Sequence, residues 1–369
     1  MLSGIRIIEF EGLGPAPFAS MLLADLGAEV ITIHRAASAE TPGNTDRNPL
    51  DRGKRSIVLN LKCKEDLDVA KALLKTAHGL IEGLRPGVME RLGLGPDEIL
   101  KINPKIVYGR MTGWGQDGPL SLNAGHDLNY IARVGALWYG SNPGDPPFTP
   151  PTLVGDIGGG AMYLVVGMLS GFLNVTKGNQ GCVVDAAIVD GAAHMMSLLM
   201  SLHKDGGLQM ARGHSTLDGP HWSRCYTTKD LRFISVQCIE PKFYKVFLNC
   251  LGLENDKEFL RQFDKTLWAT LTRRLSSIFL TKSLAEWNQI FTGTDACVAP
   301  VLSPVQSSSD PHIEARSIWF EAEGHLQAKV APRFSNWQPA QHSPIPQKDA
   351  DRQSILDELN TRVENEKRP

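Results

Sequence analysis

Over roughly its first 110 residues the chain alternates short β-branched runs with stretches of helical spacing, and this alternation most limits its possible folds. Candidate strands fall at residues 5–10, 29–34, 56–59, 79–84 and 106–109, with helices at 18–26, 67–77 and 96–102. Parallel strands cannot be joined by a tight turn, so a strand–helix–strand series implies a parallel sheet with helices on its faces. The first strand runs into Glu11-Gly12-Leu13-Gly14-Pro15-Ala16-Pro17, a turn in which glycine and proline interrupt both patterns.

Further on, residues 161–174 and 186–202 read as two long helices, separated by Lys177-Gly178-Asn179-Gln180-Gly181 and a strand at 182–185. The character changes after Gly206. Residues 222–228 and 233–238 look like paired strands, followed by a helix at 242–251 and more helices to about Phe291. The expected organisation is an α/β domain over 1–205, completed by about 315–340, and a smaller α+β domain with its linkers over 206–302. The polar tail, 341–369, is expected to be a short polar helix or disordered.

A net charge of −2 on 369 residues gives no electrostatic drive toward nucleic acid or an anionic membrane surface. The six cysteines are scattered, with no CxxC pair and no Cys/His cluster at zinc spacing, which suits reduced thiols and no metal site. Residues 4–10 read as a strand carrying Arg6 and Glu9, not as a secretory leader. The longest apolar stretch, 161–175, falls short of the ~20 residues of a membrane span and is expected to be a buried helix. The last four residues, Glu366-Lys367-Arg368-Pro369, carry no peroxisomal tripeptide. With no recognisable targeting signal, the expected location is the cytoplasm, or a mitochondrion or peroxisome in a eukaryote.

Two segments carry chemistry: Ala124-Gly125-His126-Asp127-Leu128-Asn129-Tyr130 and Val154-Gly155-Asp156-Ile157-Gly158-Gly159-Gly160. Each places a titratable side chain just after a glycine, where a loop turns into a helix. A helix start offers unpaired N–H groups and a positive dipole end, which favour an anion and disfavour protonation. His126 is then expected neutral and Asp156 ionised, the forms a general base needs. Two such bases facing one carbon could remove a proton on one side and return it on the other. Singly, each has a plainer reading: a His before a helix often packs or caps, an Asp at an N-cap is ordinary, and three glycines allow close packing.

The turn Gly12-x-Gly14-x-x-Pro17 lacks the third glycine of a dinucleotide fingerprint. The second strand ends in Arg35 instead of an acid that would hold a ribose, which argues against NAD. Arginine there suits a phosphate on the ribose, as in NADP or at the 3′ position of coenzyme A.

Residues 126–130, Gly155-Asp156 with the following glycines, and Ile239-Glu240-Pro241-Lys242-Phe243-Tyr244 resemble the signature segments of the α-methylacyl-CoA racemases, within the family III CoA-transferase superfamily. Arg85-Pro86-Gly87-Val88, Arg110-Met111-Thr112-Gly113-Trp114-Gly115-Gln116 and Gly293-Thr294-Asp295-Ala296-Cys297-Val298 extend the resemblance in order, from about Ile5 to about Arg333. It implies an α/β fold: a Rossmann-like parallel-sheet large domain with a smaller α+β domain, in an interlocked homodimer. It also implies two-base 1,1-proton transfer on a 2-methylacyl-CoA through an enolate, with no cofactor, CoA being part of the substrate. The alternative is a CoA-transferase of the same superfamily, in which Asp156 attacks the thioester.

By the same resemblance His126 and Asp156 are the bases, the Asp127 N–H holds the enolate oxygen, and Glu240 orients His126 across the subunit interface. CoA contacts are implied for Arg35 (on the 3′-phosphate side), Leu59, Asn60, Leu61, Lys62, Gly83, Leu84, Arg85, Arg91 and for Gly125 to Tyr130, namely Gly125, His126, Asp127, Leu128, Asn129 and Tyr130. Met195, Met196 and Met200 fit core packing by type, and by resemblance an acyl-chain surface. Departures from the family pattern at Leu217-Asp218-Gly219-Pro220-His221-Trp222 and Thr227-Thr228-Lys229-Asp230-Leu231 bear on acyl-group preference.

Overall fold

The computed structural model describes residues 1–35, 47–339 and 344–366, and the chain divides into two units. The first comprises Met1–Leu137, Thr149–Met195 and Trp319–Pro369; the second comprises Trp138–Phe148 and Met196–Ile318.

The first unit is built on β1 (Arg6–Phe10), α1 (Pro15–Asp25), β2 (Glu29–Arg35), β3 (Arg55–Leu59), α2 (Lys64–Lys75), β4 (Gly79–Glu82), α3 (Val88–Arg91), α4 (Pro96–Ile102) and β5 (Val107–Thr112). It continues through α5 (Asp127–Arg133), α6 (Met162–Thr176), β6 (Cys182–Ala187) and α7 (Ile188–Met195). The six strands pair in the order β3-β2-β1-β4-β5-β6, and every pairing is parallel. Neighbours along β1 serve opposite faces: Ile8 packs with Ile31, Leu73 and Tyr108, while Ile7 packs with Leu23, Val30 and Leu164. Burial on both faces explains why these strands read as continuous apolar runs. The order reverses at β1, which has β2 on one side and β4 on the other. Such a reversal opens a crevice beyond the carboxyl ends of the strands.

Several boundaries differ from the sequence expectation. Helix α1 begins at Pro15, not at residue 18, because proline is preorganised for the first helical turn. Strand β6 runs on through Ala186 and Ala187, which pair with Met111 and Thr112. Sheet pairing there overrides the helical propensity of alanine. The single helix expected over 186–202 is instead α7 and a short helix, Ser197–Ser201.

The helix expected from residue 161 starts at Leu153, with a π-helical segment, Leu153–Ala161, leading into α6. Asp156 therefore lies inside the first turn of that segment, not on a loop before a helix. Glycine is required beside it: a Cβ on Gly191 of α7 would fall 1.9 Å from the Gly159 carbonyl oxygen. The continuous helix Leu153–Thr176 is long and apolar enough to cross a membrane by length and composition. Leu164, Val165, Met168 and Phe172 instead pack it against the sheet, as a core helix.

The tail over 341–369, expected to be a short polar helix or disordered, carries a helix and is docked on the sheet; its residues 341–343 and 367–369 lie outside the described residues. Val58 and Ser56 on the edge strand β3 donate their N–H groups to the carboxylates of Asp349 (2.7 Å) and Asp351 (2.9 Å). The helix Arg352–Glu366 then buries Ile355 and Leu359 in the same cluster as Ile57. A polar composition hid two apolar anchors and two edge caps. An uncovered edge strand is a pairing hazard, and this segment covers it.

In the second unit an antiparallel sheet joins strands Ser223–Thr227, Phe233–Gln237 and Val298–Pro300, with helices Pro241–Leu251, Trp268–Phe279 and Leu284–Phe291 packed on it. Trp222, Phe247, Phe259 and Phe279 fill its core.

Candidate active site

The crevice set up by the strand order is a cleft of about 440 Å³ in the first unit. Its walls are the segments leaving the strand ends: Glu11 to Pro15 after β1, Arg35 at the end of β2, Gly83 to Pro86 after β4 and Thr112 to Trp114 after β5. Gly14, with φ of +66°, makes the turn into α1, and a Cβ on it would lie 3.7 Å from Asp156 Oδ2. The start of α1 thus stands beside the Asp156 carboxylate.

His126 is the N-cap residue of α5, and its backbone N–H donates to the Asn129 side chain at 3.0 Å. The imidazole is exposed to the cleft. The N–H of Asp127, first in the helix, has no intrahelical acceptor. The Asp127 carboxylate points the other way and is buried, accepting the N–H groups of Gly155 (3.0 Å) and Asp156 (2.9 Å). Tyr130 also lines the cleft. Its hydroxyl donates to the Gly125 carbonyl, and Trp114 meets its ring edge-on at 4.8 Å.

The electrostatics correct one expectation. Asp156 is not held ionised by a helix end. Burial and then the Asp127 carboxylate push its pKa up to about 6, and His126 opposes them. A carboxyl with that pKa can give or take a proton near neutrality. Tyr130 is also raised, by burial and by Asp156.

The cleft brings together Arg35, Gly83, Leu84, Arg85, Gly125, His126, Tyr130 and Asp156. Leu59 is the last residue of β3, and Asn60, Leu61 and Lys62 lie on the turn after it, all four outside the cleft's lining. There the Asn60 N–H is taken by Asp66 (2.7 Å), and its side chain accepts from the Lys62 N–H (3.2 Å). Arg91 ends α3, exposed. Leu128 and Asn129 are exposed on α5, outside the lining. Glu240 belongs to the second unit, as the exposed N-cap residue of the helix Pro241–Leu251. Met195 and Met200 are exposed, not core-filling.

Residue-type reasoning passed over Glu11, Glu82 and Arg110. Glu11 lines the cleft, and its place directly after the first parallel strand is the signal that marks it. Glu82 accepts the Leu84 N–H at 2.7 Å and the Arg110 side chain at 3.0 Å, and Arg110 also pairs with Glu90. Glu82 and Arg110, both buried, fix the loop that carries Arg85.

Residues 2–352 match CoA-transferase family III. The chain is 39% identical over 338 residues to the α-methylacyl-CoA racemase of Mus musculus, covering 91% of this chain and 87% of the relative. To that of Homo sapiens it is 37% identical over 334 residues, covering 90% and 85%. A CAIB/BAIF family protein from Brucella suis, 22% identical, superposes with a TM-score of 0.82 over 97% of this chain and 99% of that one, a likeness of fold alone.

Proposed function

The chain belongs to CoA-transferase family III, and within it we propose that this protein is an isomerase, an α-methylacyl-CoA racemase. The observation that carries the reading is that His126 and Asp156 line one cleft, beside the start of α5. A thioester seated with its carbonyl oxygen at the Asp127 N–H would place its α-carbon within reach of both side chains. One base removes the α-proton and the charge moves onto the oxygen, giving an enolate; the other group returns a proton to the opposite face. A single preorganised donor to that oxygen is worth about 3 kcal/mol in a site closed to water. The roles exchange for the other epimer, which suits an Asp156 whose pKa lies near 6.

In this reading Arg35 takes the 3′-phosphate of CoA and Arg85 its diphosphate, by charge-assisted hydrogen bonds. No cofactor is needed, CoA being part of the substrate. Glu240 is assigned to orient His126, reached from a second copy of the chain in an interlocked homodimer. The test is incubation with one epimer of a 2-methylacyl-CoA in D2O. Epimerisation with deuterium at the α-carbon supports the reading. Transfer of CoA to a free carboxylate without epimerisation replaces it with the transferase alternative, in which Asp156 forms a mixed anhydride.

A further inference from the structure

The C-terminal segment reaches the rim of this same cleft. Pro344 is held by the Gly53 N–H at 3.0 Å, Ile345 is buried, and Asp349 and Asp351 are fastened to β3. The fastening is reciprocal: the N–H of Asp349 donates to the Ser56 hydroxyl (2.9 Å) and that of Asp351 to the Ser56 carbonyl (3.1 Å). Between these anchors stands Lys348, whose Nζ lies 2.9 Å from Glu11 Oε1. Glu11 lines the cleft with Arg35, and its other oxygen accepts the Arg35 N–H at 2.9 Å.

We propose that the C-terminal segment is a working part of the nucleotide end of the cleft: docked on β3, it holds Lys348 on Glu11 and makes the Arg35 end receptive to the 3′-phosphate of an acyl-CoA. The inference rests on the acyl-CoA reading above.

Burial would raise the Glu11 pKa, yet His34, the Arg35 N–H and Lys348 together hold it at about 2. Glu11 is therefore fully negative at any working pH, next to the residue assigned to a phosphate. Uncompensated, it would oppose that phosphate. Lys348 is mostly shielded from solvent, so its charge is less screened than that of an exposed lysine. It is also one residue from an anchored aspartate, so little side-chain freedom is lost in holding it there. Lys348 acts through Glu11 and is a positioning residue, not a catalytic one.

The test uses the full chain with Lys348→Met, Lys348→Arg and the pair Lys348→Met/Glu11→Gln, each checked for an unchanged melting temperature. Calorimetric titration with CoA and with 3′-dephospho-CoA reads the charge directly. Lys348→Met should weaken CoA by about fivefold, the size of one partly exposed charge contact, and leave dephospho-CoA unmoved. Lys348→Arg should keep the affinity, and removing the Glu11 charge as well should restore it. In turnover the loss should fall on KM, not kcat. No loss, or an equal loss for both ligands, overturns the proposal. Wild-type protein that binds neither ligand overturns the acyl-CoA reading beneath it, and one that binds both equally removes the 3′-phosphate from Arg35.

Discussion

The Asp127 carboxylate accepts the backbone N–H of Asp156 at 2.9 Å, and with the same oxygen that of Gly155 at 3.0 Å. The residue that follows His126 thereby fixes the backbone that carries Asp156. It also lies close enough to raise Asp156, second only to burial itself. Position and proton affinity of one candidate base are set by the neighbour of the other.

Asp127→Asn separates these two effects. Asparagine keeps an oxygen for both N–H groups and removes the charge, so the pKa of Asp156 falls. In the direction that uses Asp156 as the base, the active form is the carboxylate. The acidic limb of kcat/KM should therefore move to lower pH, by about half to one unit. Asp127→Ala loses the acceptor as well and should cost about ten- to a hundredfold in kcat through misplacement of Asp156. A limb that stays in place with asparagine would remove the Asp127 charge from the account.

His126→Ala and Asp156→Asn should each reduce epimerisation by about 10²-fold or more, the range of a lost general base. They should not be silent toward solvent. Each variant keeps one base, so each should still exchange the α-proton of one epimer for deuterium, and the two variants should choose opposite epimers. Proton NMR of the α-position in D2O reads this directly. If both variants exchanged the same epimer, the assignment of one base to each face would be wrong.

The parallel sheet was legible because its strands are buried on both faces and its helices keep their own spacing. The strand order 3-2-1-4-5-6 was not, since β1 carries the same apolar run whichever neighbours it pairs with. His126 stood out as a titratable group at a helix start, and the structure places it at the N-cap of α5. Asp156 stood out equally, but its environment was misread. The Asp127 carboxylate that governs it comes from 29 positions away in sequence, and only the fold brings it there. The tail was hidden for a related reason: Asp349 and Asp351 are typical of a solvated segment until β3 supplies N–H donors.

Gly159 and Gly191 set how closely the π-helical segment approaches α7. A Cβ at Gly191 would lie 1.9 Å from a carbonyl oxygen, contact with backbone that no rotamer change relieves. Gly191→Ala should therefore destabilise the fold by roughly 1–3 kcal/mol, the usual cost of overpacking. The displaced segment carries Asp156, so kcat should drop as well. Urea unfolding and turnover measured on the same preparation check both. An alanine variant of native stability and rate would show that this approach is slack.

Glu240 stands exposed at the N-cap of its helix in the second unit, whereas His126 belongs to the first. If it acts on the His126 of a second copy, each site draws on two chains. His126→Ala and Glu240→Ala proteins, refolded together, would then form heterodimers with one site carrying both lesions and the other carrying neither. The intact site should bring the heterodimer to about half the activity of a wild-type dimer, beyond the sum of the two parents. Sedimentation must show the mixed species, and tagged subunits allow it to be isolated. An isolated heterodimer no more active than its parents, or a fully active monomer, would confine each site to a single chain.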